Sequence, residues 1–165
     1  MKIASVEGWV EPPLQRFVDE ARVQIALLLH PSGQVVAQAG FTRRMDVMTA
    51  CALAAASHAT ASELGRYVDG KPFRSFHYAG PEKQLFLGTV DTKAGAFLCL
   101  TVFNEETSLG LVRMYFEDLA RELAAVAPIA AQKQTAVLAV DFEADLNKNL
   151  AMLFGRAGDV IIRNA

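Results

Sequence analysis

Ile25-Ala-Leu-Leu-Leu-His-Pro-Ser-Gly-Gln-Val-Val-Ala-Gln-Ala-Gly40 decides the fold. Ile25 to His30 is a continuous apolar run too short for a helix. Pro31-Ser32-Gly33 is turn chemistry, and the chain then returns through Gln34 to Gly40. Two such runs around a tight Pro/Gly turn predict a β-hairpin, the first strand buried on both faces and the second half-buried. Upstream, Pro12 and Pro13 open a segment in which Leu14, Phe17, Val18 and Ala21 share one helical face, which predicts a helix over about 12–22.

Downstream, Asp46 can cap a second helix running to about Tyr67, with Asp69-Gly70 closing it and Pro72 preventing continuation. Between Ala50 and Ala61 this helix carries seven alanines with Cys51, Ser57 and Thr60. Leu53, Leu64 and Val68 mark one side; Ala52, Ala55 and Ala59 mark another. A helix this poor in bulk offers a flat surface on which another backbone can pack closely, and Ala52, Ala55, Ala59, Ser62, Glu63 and Arg66 are the candidate interface residues on it.

Alternation from Phe73 to Ala79, a Gly80–Lys83 turn, a return over Gln84–Val90, a second turn at Asp91–Gly95 and the run Ala96–Phe103 predict a three-stranded antiparallel meander. Thr107 or Ser108 caps a third helix to about Val126, whose core stripe is Val112, Tyr115, Phe116, Leu119, Leu123 and Val126. Pro128 ends it. The order α-ββ-α-βββ-α packs as an α+β, αβα sandwich around one five-stranded antiparallel sheet. The expected free edge is the strand over about 73–79, placed centrally in the meander, and an unguarded edge invites pairing with another chain. Residues 12–127 make this domain, 128–141 a linker, 142–154 a C-terminal amphipathic helix carrying Phe142, Leu146, Leu150, Leu153 and Phe154, and 155–165 a tail.

The chain has 165 residues, 52% of them hydrophobic, enough for one buried core in one domain. A net charge of −2 gives no global pull toward nucleic acid or an acidic membrane. Cys51 and Cys99 lie in apolar segments without metal or redox spacing and read as core thiols of a reducing compartment. No run approaches the roughly 18 apolar residues of a membrane span, so a cytoplasmic protein is expected. His30, His58 and His77 lack metal-ligand spacing, and no phosphate-binding loop, dinucleotide fingerprint or nucleophile elbow occurs. Ser108-Leu-Gly110 could hold an anion but reads better as a helix cap. Arg43-Arg44 reads as a solvated loop able to reach an acidic partner. No catalytic, metal-binding or cofactor-binding residue is expected.

The hairpin Leu27–Gly40, Asp46 and the alanine-rich helix, Phe76-His-Tyr-Ala-Gly80, Gln84-Leu-Phe-Leu87 and above all Phe103-Asn-Glu-Glu-Thr-Ser-Leu-Gly-Leu-Val-Arg113 resemble the Roadblock/dynein-light-chain family over about 14–126. The C-terminal segment is similar to that of the family's bacterial MglB-type branch, although it is less acidic and continues through Val160-Ile-Ile162. The resemblance implies a homodimer that binds a Ras-like small GTPase of MglA type at some position, including a polar one, in the cell. It implies GTPase activation in which the GTPase's own arginine and glutamine are repositioned, so Arg43, Arg44 and Arg113 are not assigned catalysis. A scaffold dimer without activating ability is the alternative. A small-ligand sensor is another, but it would need polar groups converging between sheet and helix.

Overall fold

The computed structural model describes residues 8–129. Helix α1 (Glu11–Ala21) leads into strands β1 (Ile25–Leu29) and β2 (Val35–Gly40). Helix α2 (Val47–Asp69) follows, then β3 (Ser75–Ala79), β4 (Gln84–Thr92), β5 (Gly95–Phe103) and α3 (Leu109–Val126). The expected linker, C-terminal helix and tail lie outside the described residues from 130 onward.

The sheet order is β2-β1-β5-β4-β3, all neighbours antiparallel. β1 is buried along its whole length, as its unbroken apolar run predicts, because β2 and β5 flank it and helices cover both faces. β3 is a sheet edge as expected, but it is the first strand of the meander; the central one is β4, which pairs with both β3 and β5. The sequence order of three alternating strands does not say which of them borders solvent.

Two cores form, one per sheet face. On one side α1 and α3 pack over Ala26, Leu28, Phe86, Val90, Phe97 and Phe103, with Leu14, Phe17, Phe116 and Leu123 turned down onto them. Here Gly88 leaves room for the Phe116 ring, because a Cβ at Gly88 would lie 2.4 Å from its Cζ. The expected stripe of α3 holds for Val112, Phe116, Leu119 and Leu123, whereas Tyr115 is only partly covered and Val126 is exposed. Val10 and Trp9, outside the predicted helix, join this core, Trp9 meeting Phe97 edge-on at 6.3 Å.

On the other side α2 is the one helix among the described residues that covers Ile25, Leu27, Leu87, Leu98 and Leu100. It begins at Asp46, whose carboxylate accepts the Thr49 hydroxyl at 2.7 Å and its amide at 3.1 Å. Those bonds, the hydroxyl foremost, hold the Asp46 carboxyl below its ordinary pKa. Gly70 ends the helix in the left-handed conformation that the sequence anticipates, φ 72°. Ser108 rather than Thr107 caps α3, accepting the Leu111 amide.

Candidate functional site

The helix that the sequence nominates as a contact surface presents three different faces. Cys51, Ala54, Ala55, Ser62 and Gly65 face the sheet and are buried. Ala52, Ala59, Glu63 and Arg66 face outward, the last two as an ion pair, beside the exposed Met48. The expectation that Ala52, Ala55 and Ala59 form one outward stripe is therefore corrected at Ala55, and Ser62 likewise turns inward. Small residues sit beneath this helix because it lies close on its neighbours. A Cβ at Gly33 would stand 3.1 Å from Ala52 Cα, and one at Gly65 would stand 2.4 Å from the Phe73 amide nitrogen. At that separation only alanine, serine, cysteine and glycine fit, so bulk is displaced to the helix's outer surface.

The third face carries that bulk. Leu53, Leu64 and Val68 are exposed to 63%, 55% and 68%, and Tyr67 to 92%. They stand on the flank toward β3. Below Leu53, between α2 and the outer strands, opens a groove of about 270 Å³ lined by Met45, Leu53, Phe76, Tyr78, Leu85 and Val102 among others. The lining follows from register. Phe76 opposes Leu87, Tyr78 opposes Leu85, and Leu85 opposes Val102, so these side chains share the α2 face of the sheet. Helix α2 does not extend over this end, and Tyr78 and Leu85 remain partly in water.

The groove runs out to β3, whose outer side carries no paired strand among the described residues. Ser-Phe-His-Tyr-Ala contains no proline, lysine or inward charge, the devices that usually blunt an edge. An unguarded edge continuous with an apolar groove and an apolar helix flank is a surface suited to protein contact. A sequence signal for it existed in Leu53, Leu64 and Val68, which recur on one line of the helix.

The remaining expected residues do not converge. His30 packs on the Phe97 ring at 4.9 Å, and His77 bonds Gln84 and stacks on Phe103. His58 meets the Thr89 hydroxyl. Burial pushes the Cys51 thiol to about 11 and that of Cys99 to about 12, so both stay protonated and inert near neutrality. Among the described residues no group of three His, Cys, Asp or Glu is placed to hold a metal ion, and no helix is long and apolar enough to cross a membrane. Phe142, Leu146, Leu150, Leu153 and Phe154 lie outside the described residues.

No family model matches the sequence, and no curated protein matches it. Solved structures do. MglB of Myxococcus xanthus superimposes with a TM-score of 0.67 at 22% identity, covering 73% of this chain and 96% of that one. A structure described as MglB with tetrameric arrangement gives 0.64 at 22% identity, over 73% and 91% of the two chains. A Roadblock/LC7 domain from Streptomyces avermitilis gives 0.56 at 18% identity, over 73% and 95%. The chain has the Roadblock fold, in a form similar to MglB.

Proposed function

We propose, from a fold shared with MglB, that this chain is a non-catalytic regulator of a small Ras-like GTPase of MglA type and acts as a homodimer. The observation that carries the reading is the unguarded β3 edge beside the apolar groove and the Leu53–Leu64–Val68 flank. Pairing two such edges would extend the sheet across two copies and cover both grooves. A standard interface buries about 800 Å² per partner, and an edge strand with a helix flank is of that order. The outward flank of α2, with Ala52, Ala59, Glu63 and Arg66, then remains within the contact region of two apposed helices. Activation would come from positioning the GTPase's own arginine and glutamine at the γ-phosphate, which needs a shaped surface and no donated side chain.

In this reading residues 12–127 are the regulatory domain and 128–141 a linker. The amphipathic segment 142–154, with Phe142, Leu146, Leu150, Leu153 and Phe154, docks on the GTPase or a neighbouring subunit, and 155–165 forms the tail. The decisive experiment is single-turnover GTP hydrolysis by an MglA-type GTPase with and without this chain, alongside light scattering of the chain alone. Faster hydrolysis with a dimeric species supports the proposal. A stable complex with an unchanged rate supports the scaffold alternative. A monomer at tens of micromolar that leaves the GTPase unbound overturns both.

A further inference from the structure

One polar cluster in the described residues lies at the seam between α2 and the start of the edge strand. His58 Nε2 is 3.0 Å from Thr89 Oγ1 and 3.5 Å from Ser62 Oγ. The Ser62 hydroxyl donates to the Phe73 carbonyl at 3.3 Å, and the Thr89 hydroxyl donates to the Arg74 carbonyl at 3.0 Å. That carbonyl also accepts the Thr89 amide at 2.9 Å. Both hydroxyl hydrogens are thus spent on the backbone of residues 73 and 74, the approach to β3. His58 is left as the donor to Thr89, which assigns its hydrogen to Nε2 and leaves Nδ1 as the site of any further proton.

We propose that His58, Ser62 and Thr89 form a proton-sensitive clasp that seats the start of β3 against α2, so that acidification frees the edge strand. A second proton on His58 places a cation in a half-buried seam whose Thr89 hydroxyl is bound to the Arg74 carbonyl, so that Arg74 is the like charge nearby in the fold. Arg74 is paired with Asp91 on β4, and these are the charged groups at the seam from the segment before β3 and from β4. On α2 the positions three and four residues either side of His58 are Ala54, Ala55, Ala61 and Ser62, none of them charged. The seam has little slack, since a Cβ at Gly65 would meet the Phe73 amide nitrogen at 2.4 Å. The cost of a charge held in that half-buried seat is removed when the seam opens and the ring meets water.

Burial first, and Arg74 second, hold the His58 pKa below the ordinary 6.5. The sign follows. Between the folded value and 6.5 the opened state binds more protons than the closed one. The clasp's contribution is complete above 6.5 and is lost as pH falls through the folded value.

The test is a pH titration of the full chain by NMR, following the His58 ring together with amide hydrogen exchange of Thr89 and the β3 residues, referred to β1 and β5 amides at each pH. The expected result is a His58 pKa under 6.5. On acidification, relative protection at Thr89 and β3 falls by up to about tenfold for each unit of that depression. His58→Gln, which still offers Thr89 an N–H, should flatten the pH dependence, and Arg74→Gln should raise the His58 pKa. A His58 that titrates at or above 6.5, or β3 protection that tracks β1 and β5 at every pH, overturns the clasp; both readouts use the unaltered chain and do not depend on either variant folding. The consequence for assembly rests on the homodimer proposed above: dimer dissociation should rise in the same pH range. Absence of a dimer at pH 7.5 would sink that reading alone, while the exchange data still decide the clasp.

Discussion

Replacing Ala55 and Ala59 separately by arginine distinguishes the two faces of α2. Ala55 is 7% exposed and belongs to the core with Leu27, Leu98 and Leu100. The helix lies close on its neighbours here, against Gly33 and the Phe73 amide, so no space exists beneath it for a long side chain. Ala55→Arg must therefore displace packed side chains, typically about 1–3 kcal/mol or more, and bring a cation into an apolar layer. For a domain of this size about 1 kcal/mol is worth roughly 4 °C in melting temperature, so a loss of about 4–12 °C or outright unfolding is expected. Ala59 points outward, and Ala59→Arg should change the isolated chain by no more than about 0.5 kcal/mol. If α2 meets a second copy through its outer surface, that same change should weaken association at least about tenfold. The assay is thermal unfolding by circular dichroism at a concentration where the chain is monomeric, with light scattering across a dilution series. An Ala55→Arg chain that melts within a degree or two of the parent would refute the assigned helix orientation. An Ala59→Arg chain that still dimerises normally would refute a part for the outward face of α2 in the contact.

Gly88→Ala should cost about 1–3 kcal/mol through its clash with the Phe116 ring, measured by urea unfolding, and pairing it with Phe116→Leu should recover part of the loss. Ser108→Ala removes the α3 cap and should cost about 1 kcal/mol by the same measurement; an unchanged midpoint would remove the cap from the account. Cys51 and Cys99 should resist alkylation at pH 8 in the native chain and react on unfolding, as mass spectrometry would show; rapid native labelling of either would contradict its burial. Deleting residues 136–165 should leave the melting temperature nearly unchanged and weaken GTPase binding; a truncated chain that fails to fold would place that segment in the domain's own core.

Where one face of an element is plainly apolar and bulky, the sequence reads true. The hairpin around Pro31-Ser32-Gly33 and the stripe Val112–Phe116–Leu119–Leu123 are examples, because burying large side chains on one side dominates the energetics. Helix α2 is different, being apolar or small nearly all round, so periodicity does not choose its inner face. The choice is made by the distance between helix and sheet, which Gly33 and Gly65 set and which no local pattern reports. Hence Leu53 and Leu64 stand in water while Ala55 and Ser62 are buried. The edge position of the 73–79 strand is legible, but its place in the meander is not, because which strand becomes central depends on β5 pairing with β1 far away in sequence. The His58 clasp unites residues from α2, β4 and the loop before β3, a grouping that exists only once the sheet has formed.

β5 is the last strand among the described residues and the middle strand of the sheet. During synthesis the β1–β2 hairpin can close as soon as it emerges, but the free side of Ile25–Leu29 has no partner until residues 95–103 arrive to pair Ile25 with Val102. Until then an unbroken apolar strand lies with the backbone groups of one edge unpaired, the kind of segment that recruits other nascent chains. The arrival of β5 joins the hairpin to the meander in one event, because it zips to β1 and β4 together. Closing so long a loop is slow relative to the local turns. The time a newly made chain spends vulnerable is thus governed by β5, and a slowed passage of the ribosome through residues 41–94 would lengthen it without altering a single contact of the finished protein.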